Sequence, residues 1–186
     1  MRDNKTKIMI MCAIAIAINI VLGQVTSLLK LPFYLDVIGT VFIAVYFGPM
    51  YGAVTGGLTN IIWGVLTAPT SIPFALVNIV VGLVTGFIAK KYKFNLLTAI
   101  ITGLILSVVA PLIGTPIGIW IHGGLTGTGF DFLFLWLQQS GSSIFASSFI
   151  AKISSNLIDK IGTCVIVYFL IEAMPKQLKP NFKRNA

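Results

Sequence analysis

The sequence predicts an all-α integral membrane protein: six transmembrane helices in a single domain, 1–186, with both termini in the cytoplasm. Three observations carry this. The chain is 56% hydrophobic and 10% charged, against about 25% charged in a soluble domain, so it cannot cover a globule with polar surface. Its apolar residues fall into runs of spanning length, about 20 residues with wide latitude for tilt. Its basic residues gather in the short breaks between those runs, which is how membrane topology is written.

The first run, 8–29, follows Arg2, Lys5 and Lys7 and has no clear small-residue cleavage site after it, so it is kept as a helix rather than a removed leader. The second, 35–47, is short and stops at the turn signal Gly48-Pro49. The third, 50–66, stops at Thr67-Ala68-Pro69. The fourth is 73–89. The fifth, 96–121, carries Pro111 and Pro116. The sixth is 149–174. Between the fifth and sixth lies 123–148, rich in Gly and Ser but holding an aromatic run from Phe130 to Trp136.

With six spans, one side of the membrane receives Arg2, Lys5, Lys7, Lys90, Lys91, Lys93, Lys176, Lys179, Lys183 and Arg184. That is ten of the thirteen basic residues. The opposite loops hold only Lys30, and Lys152 and Lys160 lie in or near the sixth span. The positive-inside rule places the ten in the cytoplasm. The net charge of +8 is thereby a topology signal, and nucleic acid is not expected as a partner. Cys12 and Cys164 both fall inside apolar runs and read as buried thiols rather than a disulfide or a metal pair.

Polar residues inside the spans are the candidates for function. Asn60 and Asn78 lie almost equally far from the centre of the loop that joins the third and fourth spans. At 1.5 Å per residue both sit roughly 10 Å below the outer surface. Lys152, Asn156, Asp159, Lys160 and Thr163 recur at spacings of three and four, so they share one helical face. Asp159 and Lys160 lie about 21–23 Å from the cytoplasmic end of their span, near the depth of the two asparagines. Charges at that depth are expected to face the bundle interior or a watery cavity. Two readings stand for them: a ligand site, or a pair that satisfies itself or snorkels outward. Neighbours at i and i+1 point about 100° apart, which makes a direct Asp159–Lys160 pair awkward. Interhelical hydrogen bonding is the alternative for Asn60 and Asn78.

Tyr34 and Asp36 are expected at the outer mouth, with Trp63, Trp120, His122 and Trp136 at or near the outer ends. Singly the tryptophans read as an interfacial belt; together they suit an aromatic cage for a flat ring. No P-loop, Cys/His cluster or Ser-His-acid set is present, and the chain has one histidine. An enzyme, a metal site and a cofactor are not expected. A small-molecule binding protein whose pocket opens outward fits better. A membrane sensor would normally continue into a signalling module, and an autonomous secondary transporter would show inverted repeats and broken helices; neither pattern is evident.

The stretch LPFYLDVIGTVFIAVYFGPMYGAVTGGLTNII, the late NLIDKIGTCVIVYFLI, an alanine-rich first helix and six short spans together resemble the substrate-binding S component of energy-coupling factor (ECF) vitamin transporters. The likeness covers nearly the whole chain. It implies a subunit in a bacterial plasma membrane that captures a water-soluble vitamin and hands it across by toppling within the bilayer. The implied partners are a transmembrane T component and two cytoplasmic ATPases. In that family a small-xxx-small motif on the first helix docks on the T component, and Ala13 and Ala17 match it; small residues let backbones approach closely. Packing within the bundle is the alternative, since Gly52/Gly56 and Gly114/Gly118 show similar spacing. The LPxYLDxIGT pattern is similar to members assigned to pyridoxine or hydroxymethylpyrimidine, with thiamine, riboflavin, folate, pantothenate and cobalamin as the alternatives. The substrate-binding residues expected are Tyr34, Asp36, Asn60, Trp63, Asn78, Trp120, His122, Asn156, Asp159 and Lys160.

Overall fold

The computed structural model describes residues 2–125 and 128–179. Seven α-helices occupy them: α1 (Arg2–Leu28), α2 (Ile38–Phe47), α3 (Pro49–Leu66), α4 (Ala75–Lys91), α5 (Leu96–His122), α6 (Asp131–Gln139) and α7 (Ile144–Ala173). A 3-10 segment, Pro69–Phe74, leads into α4, and no strand occurs among the described residues. Lys183 and Arg184 lie outside the described residues, as do the side chains of Arg2 and Lys176.

Local sequence explains the ends. Asn95 caps α5 by accepting from the Thr98 N–H at 2.9 Å, and Ser143 caps α7 by accepting from the Ala146 N–H at 3.2 Å. Each satisfies a donor that the first helical turn leaves without a partner. Gly48 adopts φ +102° between α2 and α3, and Gly123 adopts φ +64° after α5. A side chain at either place would be strained.

Four segments are long and apolar enough to cross a membrane: Lys5–Leu28, Pro69–Lys91, Leu96–His122 and Ile144–Ala173. The other two expected spans differ. Helix α2 has 10 residues and rises roughly 15 Å, about half a bilayer core. Helix α3, at 18 residues, spends much of its surface on Gly52, Thr55, Gly56, Gly57, Thr59, Asn60 and Gly64, all buried. The aromatic run inside 123–148 forms α6, with Phe134 inside and Phe132 and Trp136 exposed. That helix was not among the expected elements, because nine residues between Gly- and Ser-rich flanks carry too little periodicity to announce it.

The helices pack closely where side chains are small. A Cβ on Gly82 of α4 would run into the Gly52–Ala53 backbone of α3, and one on Gly39 of α2 would run into the Ala15 backbone of α1. The core between them is Val37, Val41, Val77, Val81, Leu106 and Val167. Tyr46 near the end of α2 donates to the Leu178 carbonyl, and Pro49 lies against Gly86. The α2–α3 turn, the end of α4 and the end of α7 therefore share one end of the bundle. The 29–37 loop, the Pro69–Phe74 segment and the end of α5 share the other.

Asn19 ties the first three helices together. It is fully buried. Its Oδ1 accepts from the Gly39 N–H at 2.7 Å, and its Nδ2 donates to the hydroxyls of Thr40 (2.9 Å) and Thr59 (3.1 Å). Gly39 lies in the first turn of α2, whose N-cap residue Val37 supplies no side-chain cap. A side chain on α1 thus caps α2 from outside it. Replacing Asn19 with leucine strands a backbone donor in an apolar surrounding, an expected loss of about 1–3 kcal/mol. Thermal unfolding in detergent should show a clearly lowered midpoint for Asn19→Leu and little change for Ile18→Leu on the outer face.

Candidate substrate site

A cavity of about 290 Å³ opens at the end of the bundle that holds the 29–37 loop. Its walls come from α1, α3, α4, α5 and α7, the 29–37 loop, the Pro69–Phe74 segment and the connection from α5 to α6. Of the ten residues expected from sequence, eight line it: Tyr34, Asp36, Asn60, Trp63, Asn78, His122, Asn156 and Lys160. Two do not. Trp120 is 82% exposed on the outer surface of α5, because the rotation of α5 set by its packing on α7 turns that position outward. Asp159 is buried at 1% exposure and stands behind the loop rather than in the wall.

Asp159 instead holds the loop. Its Oδ1 accepts from the backbone N–H groups of Tyr34 (3.1 Å) and Leu35 (2.8 Å). Two hydroxyls complete the clamp: Thr26 donates to the Tyr34 carbonyl at 2.6 Å and Ser155 to the Pro32 carbonyl at 2.9 Å. The loop needs holding, since Leu35 adopts φ +50°, a left-handed conformation costly for a residue with a branched side chain.

Behind the wall runs a continuous polar chain. Lys160 Nζ meets Asp159 Oδ2 at 2.5 Å and Asp36 Oδ1 at 3.6 Å. The Asp159–Lys160 contact corrects the expectation that i and i+1 neighbours meet awkwardly: the four-carbon lysine stem curls back far enough to close the angle. Asn78 Nδ2 donates to Asp36 Oδ2 at 3.4 Å and to Asn60 Oδ1 at 2.5 Å. Asn60 and Ser71 then exchange bonds with each other's backbone carbonyls at 3.2 and 3.1 Å. The two asparagines placed at one depth by sequence do meet. The chain links α7, the first loop, α4, α3 and the Pro69–Phe74 segment.

The aromatic side is partly as expected. Trp63 and Tyr34 line the cavity, and the Lys160 ammonium lies 5.8 Å from the Tyr34 ring centre. Burial foremost, then the Asp159 and Asp36 carboxylates, push the Tyr34 phenol well above its ordinary range, so it stays protonated. His122 stacks on Phe74 with ring centres 6.4 Å apart and planes 13° apart. Sequence reasoning missed Phe74, Ser71, Thr26 and Lys152 as wall residues. For Lys152 a signal existed, because it precedes Asn156 by one turn on the polar face of α7. For Phe74 none did, since its place depends on the path of the 3-10 segment.

Apolar helices of membrane-crossing length around a small cavity with aromatic walls and convergent amides and charges define a membrane protein that binds a small molecule. The family model for the ECF transporter substrate-specific component matches residues 7–171, and the chain belongs to that family. It is thus a membrane transport subunit, the substrate-specific component of an ECF importer, in a family of transport subunits rather than enzymes. Comparison with curated proteins and with solved structures gives no match. Ala13 and Ala17 both lie exposed on α1, between Ile10, Ile14, Ile18 and Val21 on the outward face.

Replacing Asp159 with alanine removes both loop bonds and leaves Lys160 with one carboxylate. Limited proteolysis should then cut within 29–37 at least several-fold faster than in the parent protein. Unchanged cleavage would mean that Thr26 and Ser155 hold the loop without it.

Proposed function

We propose that this subunit captures a single-ring, water-soluble vitamin or vitamin precursor, pyridoxine or hydroxymethylpyrimidine. The observation that carries the reading is the cavity of about 290 Å³, at the lower end of small-molecule pockets of roughly 300–1,000 Å³. Aromatic faces from Trp63, Tyr34 and Phe74 suit a flat ring. Asn60, Asn78, Asp36, Asn156 and Lys160 supply the hydrogen bonds that orient it. Asp159 acts through the loop and through Lys160.

In this reading the chain crosses the membrane six times with both termini cytoplasmic, and the cavity faces outward. The clustering of lysine and arginine at the end remote from the cavity supports that orientation. Labelling of a cysteine at Lys91 by an impermeant reagent outside intact cells would reverse it. The outward row of small residues on α1 serves as the surface where the T component of the import complex docks. Two ATPase subunits on the cytoplasmic side drive release after the S component topples in a bacterial plasma membrane.

Titration of the purified protein with pyridoxine, hydroxymethylpyrimidine, thiamine and riboflavin tests the ligand. One of the first two should bind tightest. Shortening Asn78 to alanine in still-folded protein should remove one hydrogen bond, about 1–3 kcal/mol, or roughly five- to 150-fold in affinity. Tight binding of only a larger vitamin sinks the assignment.

Docking is tested separately. Ala13→Leu with Ala17→Leu should reduce co-purification of the T component and ATPases while leaving ligand affinity within about twofold. Normal assembly by the double variant removes these alanines from the docking surface.

A further inference from the structure

The cavity holds two lysines in unlike states. Lys160 is matched by Asp159 and Asp36. Lys152 takes part in none of the ion pairs among the described residues, although its side chain lines the cavity and the residue is only 6% exposed. Its ammonium donates to the Gly114 carbonyl at 2.9 Å. The Asp131 carboxylate at the start of α6 acts on it through space from beyond ion-pair distance. An ammonium carries three donors, and a buried charge at membrane depth is costly without a partner.

The position is held open for this head group. A Cβ on Gly118 would occupy the place where the Lys152 ammonium stands. Glycine at 118 lets the lysine lie against α5 at the cavity wall. The stem does not reach toward solvent, as a snorkelling lysine's would.

We propose that Lys152 receives an anionic oxygen of the substrate: a carboxylate, a phosphate or an ionised ring hydroxyl. This rests on the reading of the cavity as the substrate site. The other end of the cavity is complementary. There Asp36 lines the wall with its Oδ1 against the Lys160 ammonium and its Oδ2 accepting from Asn78, so that end carries no unmatched cation. Lys152 and Lys160 are eight residues apart on α7, roughly 12 Å along the helix, which spaces the cation without an acid partner from the neutralised one. Of the two vitamins named above, pyridoxine carries an acidic ring hydroxyl and hydroxymethylpyrimidine has no acidic group. The subsite therefore favours pyridoxine, or a ring acid, over the neutral pyrimidine.

The test uses two probes that share a pyridine ring and differ in charge, nicotinate and nicotinamide, at millimolar concentration with the full-length protein in detergent. Binding is read as the shift in thermal midpoint across a concentration series. Nicotinate should bind the parent at least tenfold more tightly than nicotinamide. Lys152→Met should abolish that preference, lowering nicotinate affinity at least tenfold more than nicotinamide affinity. Gly118→Ala, which keeps the charge and displaces the ammonium, should lower nicotinate affinity in the same direction; it carries the comparison if Lys152→Met does not fold. Equal binding of the two probes to the parent, no nicotinate binding, or full nicotinate preference in the folded variants overturns the proposal. Pyridoxine and hydroxymethylpyrimidine run alongside. If neither binds while the nicotinate preference and its loss are seen, the vitamin assignment fails and the anion subsite stands.

Discussion

The buried ion cluster of Asp36, Lys160 and Asp159 is the constraint on which the site end of the molecule depends. An isolated charge inside a membrane protein costs several kcal/mol. Here one ammonium sits between two carboxylates, and each carboxylate is fixed by further bonds. Asp159 accepts two backbone N–H groups from the loop, and Asp36 accepts from Asn78. Removing Lys160 would leave both carboxylates uncompensated, which is far costlier than never having had the cluster, whereas removing one carboxylate leaves the lysine paired with the other. The cluster joins the first loop to α7 on one side and to α4 on the other. The cavity roof and two of its walls thus stand or move together.

Asn19 has the same logic in neutral form. One side chain satisfies a helix N-terminal donor and two hydroxyls across three helices. At that level of the bundle the helices meet through small residues, so backbone approaches backbone and little room is left for water to satisfy a polar group. A side-chain amide at the crossing supplies the bonds instead. The alanines around it divide by face: Ala15 is buried against Gly39 of α2, while Ala13 and Ala17 lie on the outside. Intramolecular packing accounts for the first and leaves the other two without an internal partner surface.

The division of labour between the lysines follows from where acids lie. Two carboxylates converge on Lys160, which serves as a structural bridge and presents its remaining surface to the cavity. Lys152 has a backbone carbonyl and an open approach. A cavity with one neutralised and one unneutralised cation is electrostatically asymmetric, and such asymmetry selects a ligand's orientation as well as its charge.

Much of this was determined by the sequence itself. Hydrophobic runs, the breaks at Gly48-Pro49 and Thr67-Ala68-Pro69, the polar face of α7 and the matched depth of Asn60 and Asn78 are local or periodic. A spacing of three or four residues fixes a shared face whatever the surroundings. Other features were decided only by tertiary structure. Asn19 found its partners, Asp159 turned to the loop, Lys160 curled back onto its neighbour, and Trp120 faced outward. The 10 residues of α2 and the short α6 also took their places there. In each of these the deciding quantity is the rotation of a helix about its axis or the path of a loop. Both are set by which small residues on two helices come into contact, and sequence spacing along one helix carries no information about the other.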